Sequence, residues 1–194
     1  MFENILQSFV RNIVPGFVFS VFCFVIPAKI IEYEPLDQFL QFEILVITGV
    51  VAGFVLDGFG AYRYTPKFLT YRALKVALIE KLNSVGGNFS SSMNPDMYLA
   101  DVWASNKDLY DRLFEERAEW VSILSSSFSF LCASFVGLAI FLKFVFLASY
   151  PEIPIAAAYT LMCLLVSTQM AATGIGRMKA HNDKFVKAVE ITQK

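Results

Sequence analysis

The sequence predicts an all-α, polytopic membrane protein with four transmembrane helices and a cytoplasmic helical hairpin. Two observations come from the C-terminal half. The runs Trp120–Leu142 and Ile153–Gly176 carry no charge, and each exceeds the roughly 20 residues a helix needs to cross a bilayer core about 30 Å thick. Only a short turn with Pro151 and Pro154 separates them, as in a transmembrane hairpin. The third observation is composition. Of 194 residues, 56% are hydrophobic and 17% charged, with the charges clustered outside the apolar runs; mean hydropathy is +0.55. An average soluble domain has fewer apolar and more charged residues.

The chain divides into an N-terminal pair of transmembrane helices (1–62), a cytoplasmic hairpin (63–118), a C-terminal transmembrane hairpin (119–176) and a basic cytoplasmic tail (177–194). Met1–Arg11 is mildly amphipathic and suits the interface; with Glu3 and Arg11 as its first charges it does not read as a cleaved signal. The first span starts at Asn12 and continues through Lys29 to Ile31, with Pro15 and Pro27 near its ends, where proline is best tolerated. Glu32–Gln41 is an acidic connection. Between Glu43 and Asp57 the apolar run is short, so the second span must extend from about Leu40 to Phe59. Gly49 and Gly53 in that span form a small-xxx-small spacing, read as helix packing within the bundle.

Tyr64–Leu82 is predicted as a helix with a basic polar side, Lys67, Arg72, Lys75 and Lys81. Glycine, serine and proline make 84–95 a loop. A second, mainly acidic helix starts near Asn94 or Asp96 and runs without a break into the third span. Opposite charge predicts that these two helices pair. Arg72, Lys75, Trp103, Asp108 and Asp111 are the candidates for contact with a cytoplasmic protein partner.

Lysine and arginine set the orientation. Arg11, the basic residues of the hairpin, and Arg177, Lys179, Lys184, Lys187 and Lys194 fall on one side, against Lys29 and Lys143 on the other. Both termini and the hairpin are therefore expected in the cytoplasm.

Few residues invite a chemical role. Asp57 is a carboxylate at a span end, read as interfacial beside Arg63 because Gly58 and Gly60 end the helix. Ser122, Ser126, Ser129, Ala133 and Gly137 share one face of the third span. Thr160, Ser167, Ala171 and Gly174 form a comparable line in the fourth, with Gln169 its bulkiest polar side chain. These faces are read first as close helix packing and second as the lining of a pore in an oligomer.

His181, the only histidine, reads as solvated next to the membrane. Cys23, Cys132 and Cys163 sit in apolar runs and read as packing residues, outside any disulfide framework or zinc site. The sequon at Asn88 is discounted because that loop is expected in the cytoplasm. No nucleophile elbow, metalloprotease motif or phosphate-binding loop is present. No catalytic role, cofactor or metal is expected, and a net charge of −1 argues for no nucleic-acid partner.

The expected function is a homo-oligomer in the lipid bilayer, a channel or membrane-perturbing effector regulated through its hairpin. The alternative is a non-catalytic scaffold or adaptor docking a cytoplasmic protein. A small transporter using Asp57 is weaker, since the chain has no clear inverted repeat. In architecture alone, with no matching residues, the chain resembles the small multi-spanning accessory proteins found beside bacterial antiphage systems. That resemblance implies a bacterial inner membrane and a place in antiphage defence.

Overall fold

The computed structural model describes residues 13–32, 42–85, 102 and 106–192. The described residues form helices and turns, without a strand. Helix α1 spans Ile13–Ile30, α2 Phe42–Phe59, α3 Phe68–Ser84, α4 Lys107–Phe146 and α5 Ile153–Thr192. Among the described residues, three helices are long and apolar enough to cross a membrane: α1, α4 and α5. The apolar part of α2, Ile44–Phe59, is shorter. Three spans of that length therefore stand where four were expected, and α2 falls short because Glu43 and Asp57 bracket its apolar run.

Helices α4 and α5 are the frame. Each has 40 residues, which at 1.5 Å per residue is about 60 Å, twice the thickness of a bilayer core. They run antiparallel, since Gly137 lies against Thr160 and Glu119 against Arg177. The turn between them reverses the chain with Ala148 at φ 53°, and Pro154 sits in the first turn of α5, where its missing N–H costs nothing.

The α4 continuity expected through the third span is present. Asn106 caps α4, accepting from the Leu109 N–H at 3.1 Å; the expected start near Asn94 or Asp96 lies outside the described residues. The region 177–192 is not a separate tail. It continues α5 without a break, because Met178, Phe185, Val186 and Val189 give it an apolar stripe that α3 and α4 cover.

Helix α1 leans on α4 and α5 through backbone carbonyls. The Ile26 N–H reaches back to the Val21 carbonyl and Pro27 has no N–H to donate, so the Phe22 carbonyl loses its donor. The helix widens there into a π-helical turn at Val21–Val25, and the Tyr159 hydroxyl donates to the Phe22 carbonyl. Ser129 Oγ donates to the Pro15 carbonyl at 3.1 Å. Helix α2 attaches to α1 at Gly16, which faces Gly49 and Gly53 so closely that a methyl group on it would lie 2.6 Å from the Gly53 Cα.

The expectations for Met1–Arg11, the connection before α2, the loop with Asn88, and Trp103 lie outside the described residues.

Candidate functional site

The candidate site is the junction where the apolar parts of α4 and α5 give way to a polar three-helix bundle with α3. Trp120, Val121 and Leu124 of α4 meet Ile175 and Met178 of α5 there, and Tyr71 of α3 closes the layer. Tyr62 joins edge-on, its ring 6.0 Å from Tyr71 and 6.1 Å from Trp120.

Local sequence explains how Tyr62 arrives. Helix α2 stops at Gly60, which sits at φ 62°, a conformation that favours glycine. The chain then makes a single 3-10 turn, Ala61–Arg63, with Ala61 buried. The Arg63 side chain folds back over Gly60, where an added Cβ would be 3.2 Å from Nε. Its guanidinium donates to the Tyr62 hydroxyl from Nε at 3.3 Å and Nη2 at 3.1 Å.

That hydrogen bond is the chief reason the Arg63 pKa is raised. Burial pushes the Tyr71 phenol up to about 12, with Tyr62 adding to the effect and Arg63 and Arg117 opposing it. Tyr71 therefore stays a neutral hydroxyl at ordinary pH.

Above this layer the bundle core is Leu78, Leu82, Val102, Leu113, Phe185, Val186, Ala188 and Val189. The expected pairing of a basic α3 with an acidic α4 is corrected by the ion pairs. Glu119 holds Arg177 at 2.5 Å and Glu116 holds Lys184, both from α4 to α5. From α3, Lys81 reaches Asp183 of α5 at 2.7 Å, lowering the Asp183 carboxyl. Among the described residues, Arg177 and Lys184 of the basic C-terminal stretch thus meet the acidic side of α4.

His181 is corrected too. It is buried rather than solvated, because it lies on the inner stripe of α5, stacked on Phe185 and beside Trp120. Its Nδ1 is 3.9 Å from Glu116, while Arg177 one turn earlier is engaged by Glu119.

The outer side of α3 is left open. Leu69, Arg72, Ala73, Val76, Ala77 and Glu80 line a shallow surface, with Leu69 76% and Val76 51% exposed. Arg72, Lys75 and Asp108 are exposed, and Asp111 is half-buried.

The small-residue faces close on the chain itself. Ser126, Ser129 and Ser167 are buried within the single chain. Ser127 and Ser167 each donate to the other's carbonyl at 2.7 Å, bracketing α4 to α5. Gly137 faces Thr160 and Tyr159, Gly174 faces Leu124, and Thr160 bonds back to the Ala156 carbonyl. Ser122 is half-buried, as is Asp57 in the last turn of α2. Gln169 alone among the candidates in α5 is exposed.

Cys23 and Cys163 fall in one buried cluster with Tyr159, with Cys132 packed on it. Among the described residues no group of three or more histidine, cysteine or acidic side chains is placed to hold a metal.

Sequence reasoning missed Gly16, Ser127 and Tyr159. Gly16 opens a Gly16-x-x-x-Ser20 spacing, a small-xxx-small signal that could have flagged it. The role of Tyr159 depends on a carbonyl freed far away in the chain, for which Pro27 was the one available signal.

Compared with protein-family models, with curated proteins and with solved structures, the chain matches none. What the fold defines is a class, a helical protein with three helices of membrane-crossing length and a polar bundle built on two of them.

Proposed function

We propose that the chain is a non-catalytic membrane scaffold whose polar bundle docks a cytoplasmic protein through the outer face of α3. The observation that carries this is the exposed row Leu69, Ala73 and Val76, with half-buried Ala77 at its edge. The opposite side of the same helix is already packed through Tyr71, Leu78 and Leu82. A contiguous apolar face on a helix outside the bilayer marks an interaction surface. Lys67, Arg72 and Lys75 flank the row, so the matching partner is a helix with an apolar stripe edged by acidic groups.

In this reading α2 crosses as a fourth span, and the lysine and arginine asymmetry puts the bundle and both termini in the cytoplasm. A bacterial inner membrane and antiphage defence belong to it only through architecture.

A pull-down from native membranes tests the proposal. Leu69→Asp with Val76→Asp is expected to lower recovery of the partner at least about tenfold, since two apolar anchors become charges. Glu190→Lys, exposed on α5, is expected to leave recovery unchanged. The same co-purifying proteins in equal amounts from all three forms would reject the docking face.

Gln169 favours a second reading, self-association within the membrane. Its amide is exposed on α5 and makes no side-chain hydrogen bond among the described residues. Ala172 and Gly176 follow on the same side, with open space at Gly176. An amide is its own complement, so a second copy satisfies it, and small neighbours let the helices approach. A pore in such an oligomer would need a lining other than Ser126, Ser129 and Ser167. Gln169→Leu is expected to convert the oligomer to monomer by light scattering in mild detergent. A monomeric wild-type chain, or an unchanged mass in the variant, would remove this reading.

A further inference from the structure

We propose that Arg63, with Tyr62 and Trp120, forms a binding site for the phosphate of an anionic lipid headgroup. The inference needs only that the apolar helices sit in a bilayer; it does not depend on a docked partner or on self-association.

The level of the site is the first argument. Tyr62 packs against Trp120, where the charge-free run of α4 begins. Tyrosine and tryptophan rings favour that depth, between acyl chains and water.

The second argument is charge balance. Arg177, Lys184 and Lys81 each have a carboxylate within hydrogen-bonding reach. Arg63 has none among the described residues, where its guanidinium is held by the neutral phenol of Tyr62. Lys67 and Arg72, a few residues further on, are exposed. The junction therefore presents positive charge that no carboxylate among the described residues neutralises, against a membrane surface that supplies anions.

Preorganisation is the third. The 3-10 turn and Gly60 fix the backbone, and two N–H groups of the guanidinium hold the Tyr62 hydroxyl. The guanidinium N–H groups not held by Tyr62, with the Tyr71 hydroxyl beside them, remain to meet a phosphate, which an arginine fork matches in a bidentate way. At the same junction the indole N–H of Trp120, 6% exposed, has no hydrogen-bond partner among the described residues. Nor does the buried Thr65 hydroxyl two residues after Arg63.

Exposed rings decide for a lipid over a soluble phosphate. Phe59 is 77% exposed, Tyr64 58% and Phe68 40%, bracketing Arg63 with surface suited to acyl chains.

The test is native mass spectrometry of the full chain in mild detergent, titrated with phosphatidylglycerol and, separately, with phosphatidylcholine. The wild-type chain is expected to retain phosphatidylglycerol about fivefold better, the scale of one cation at an anionic surface. Arg63→Gln is expected to abolish the preference and Arg63→Lys to keep part of it, because charge survives and the fork does not. Lys187→Gln, exposed far along α5, is expected to retain it. Equal retention of the two lipids by the wild-type chain would overturn the proposal, and that comparison needs no variant to fold. So would an Arg63→Gln chain as selective as wild type, or a Lys187→Gln chain as unselective as Arg63→Gln.

Discussion

Gly16→Ala is expected to detach α2 from α1, although alanine is the better helix former. Propensity alone would favour the substitution by about 1 kcal/mol. Packing opposes it more strongly, because the new methyl would lie 2.6 Å from the Gly53 Cα, with other backbone atoms of Gly49 and Gly53 closer still. Backbone cannot rotate aside as a side chain can, so two helices must separate or shift. Overpacking of a tight contact costs about 1–3 kcal/mol, occasionally more, and this one belongs at the upper end.

Thermal or denaturant unfolding in detergent micelles, followed by helicity, measures the balance. Gly58→Ala is the control, since nothing lies within 4 Å of its added methyl; it is expected to be neutral or slightly stabilising. If Gly16→Ala behaves like Gly58→Ala, the close approach of α1 and α2 is wrong.

Leu82→Ala is expected to loosen the polar bundle while the helices below it hold. Leu82 is 1% exposed and packs with Leu78, Leu113, Phe185 and Val189. Leucine-to-alanine changes in such surroundings cost about 2–5 kcal/mol, according to how far the cavity collapses. The ion pairs cannot make up the difference. Lys81, Arg177 and Lys184 have more than half of their side-chain surface exposed, and such exposed pairs contribute little.

The readout is tryptic cleavage after Arg177, Lys179 and Lys184, which requires the end of α5 to open. A loss of about 2 kcal/mol raises the open population roughly thirtyfold and the cleavage rate with it. Val76→Asp, on the outer face of the same helix, is expected to leave the rate near wild type. Cleavage unchanged in Leu82→Ala would mean that α5 holds its helix without α3.

How much was readable in advance follows the range of the interactions. The long apolar runs declared α4 and α5, because crossing a bilayer is a matter of length and charge within one segment. The stop after Asp57 was equally local, written in Gly58 and Gly60. The second apolar run was recognised as marginal for the same reason, and α2 remains shorter than the other three. Charge pattern misled where it had a choice of partners. The acidic side of α4 was assigned to the basic α3, but α5 continues past Gly176 and brings Arg177 and Lys184 closer to it. Nothing in RMKAHNDKFVKAVEITQK states that the helix never stops, although Phe185, Val186 and Val189 hint at an inner stripe.

The sequence by itself determined the helical class, the membrane-crossing length of three helices and the position of the polar section. Each depends on composition and periodicity along one stretch of chain. Only the tertiary structure decided which partner each face takes. The serines of α4 turn to α1 and α5, Gly49 and Gly53 meet Gly16, His181 is buried, and the Arg63 guanidinium is held by the Tyr62 hydroxyl. The physical reason is that small and polar residues are compatible with several neighbours. Close packing and hydrogen-bond satisfaction choose among those neighbours only once the helices are assembled.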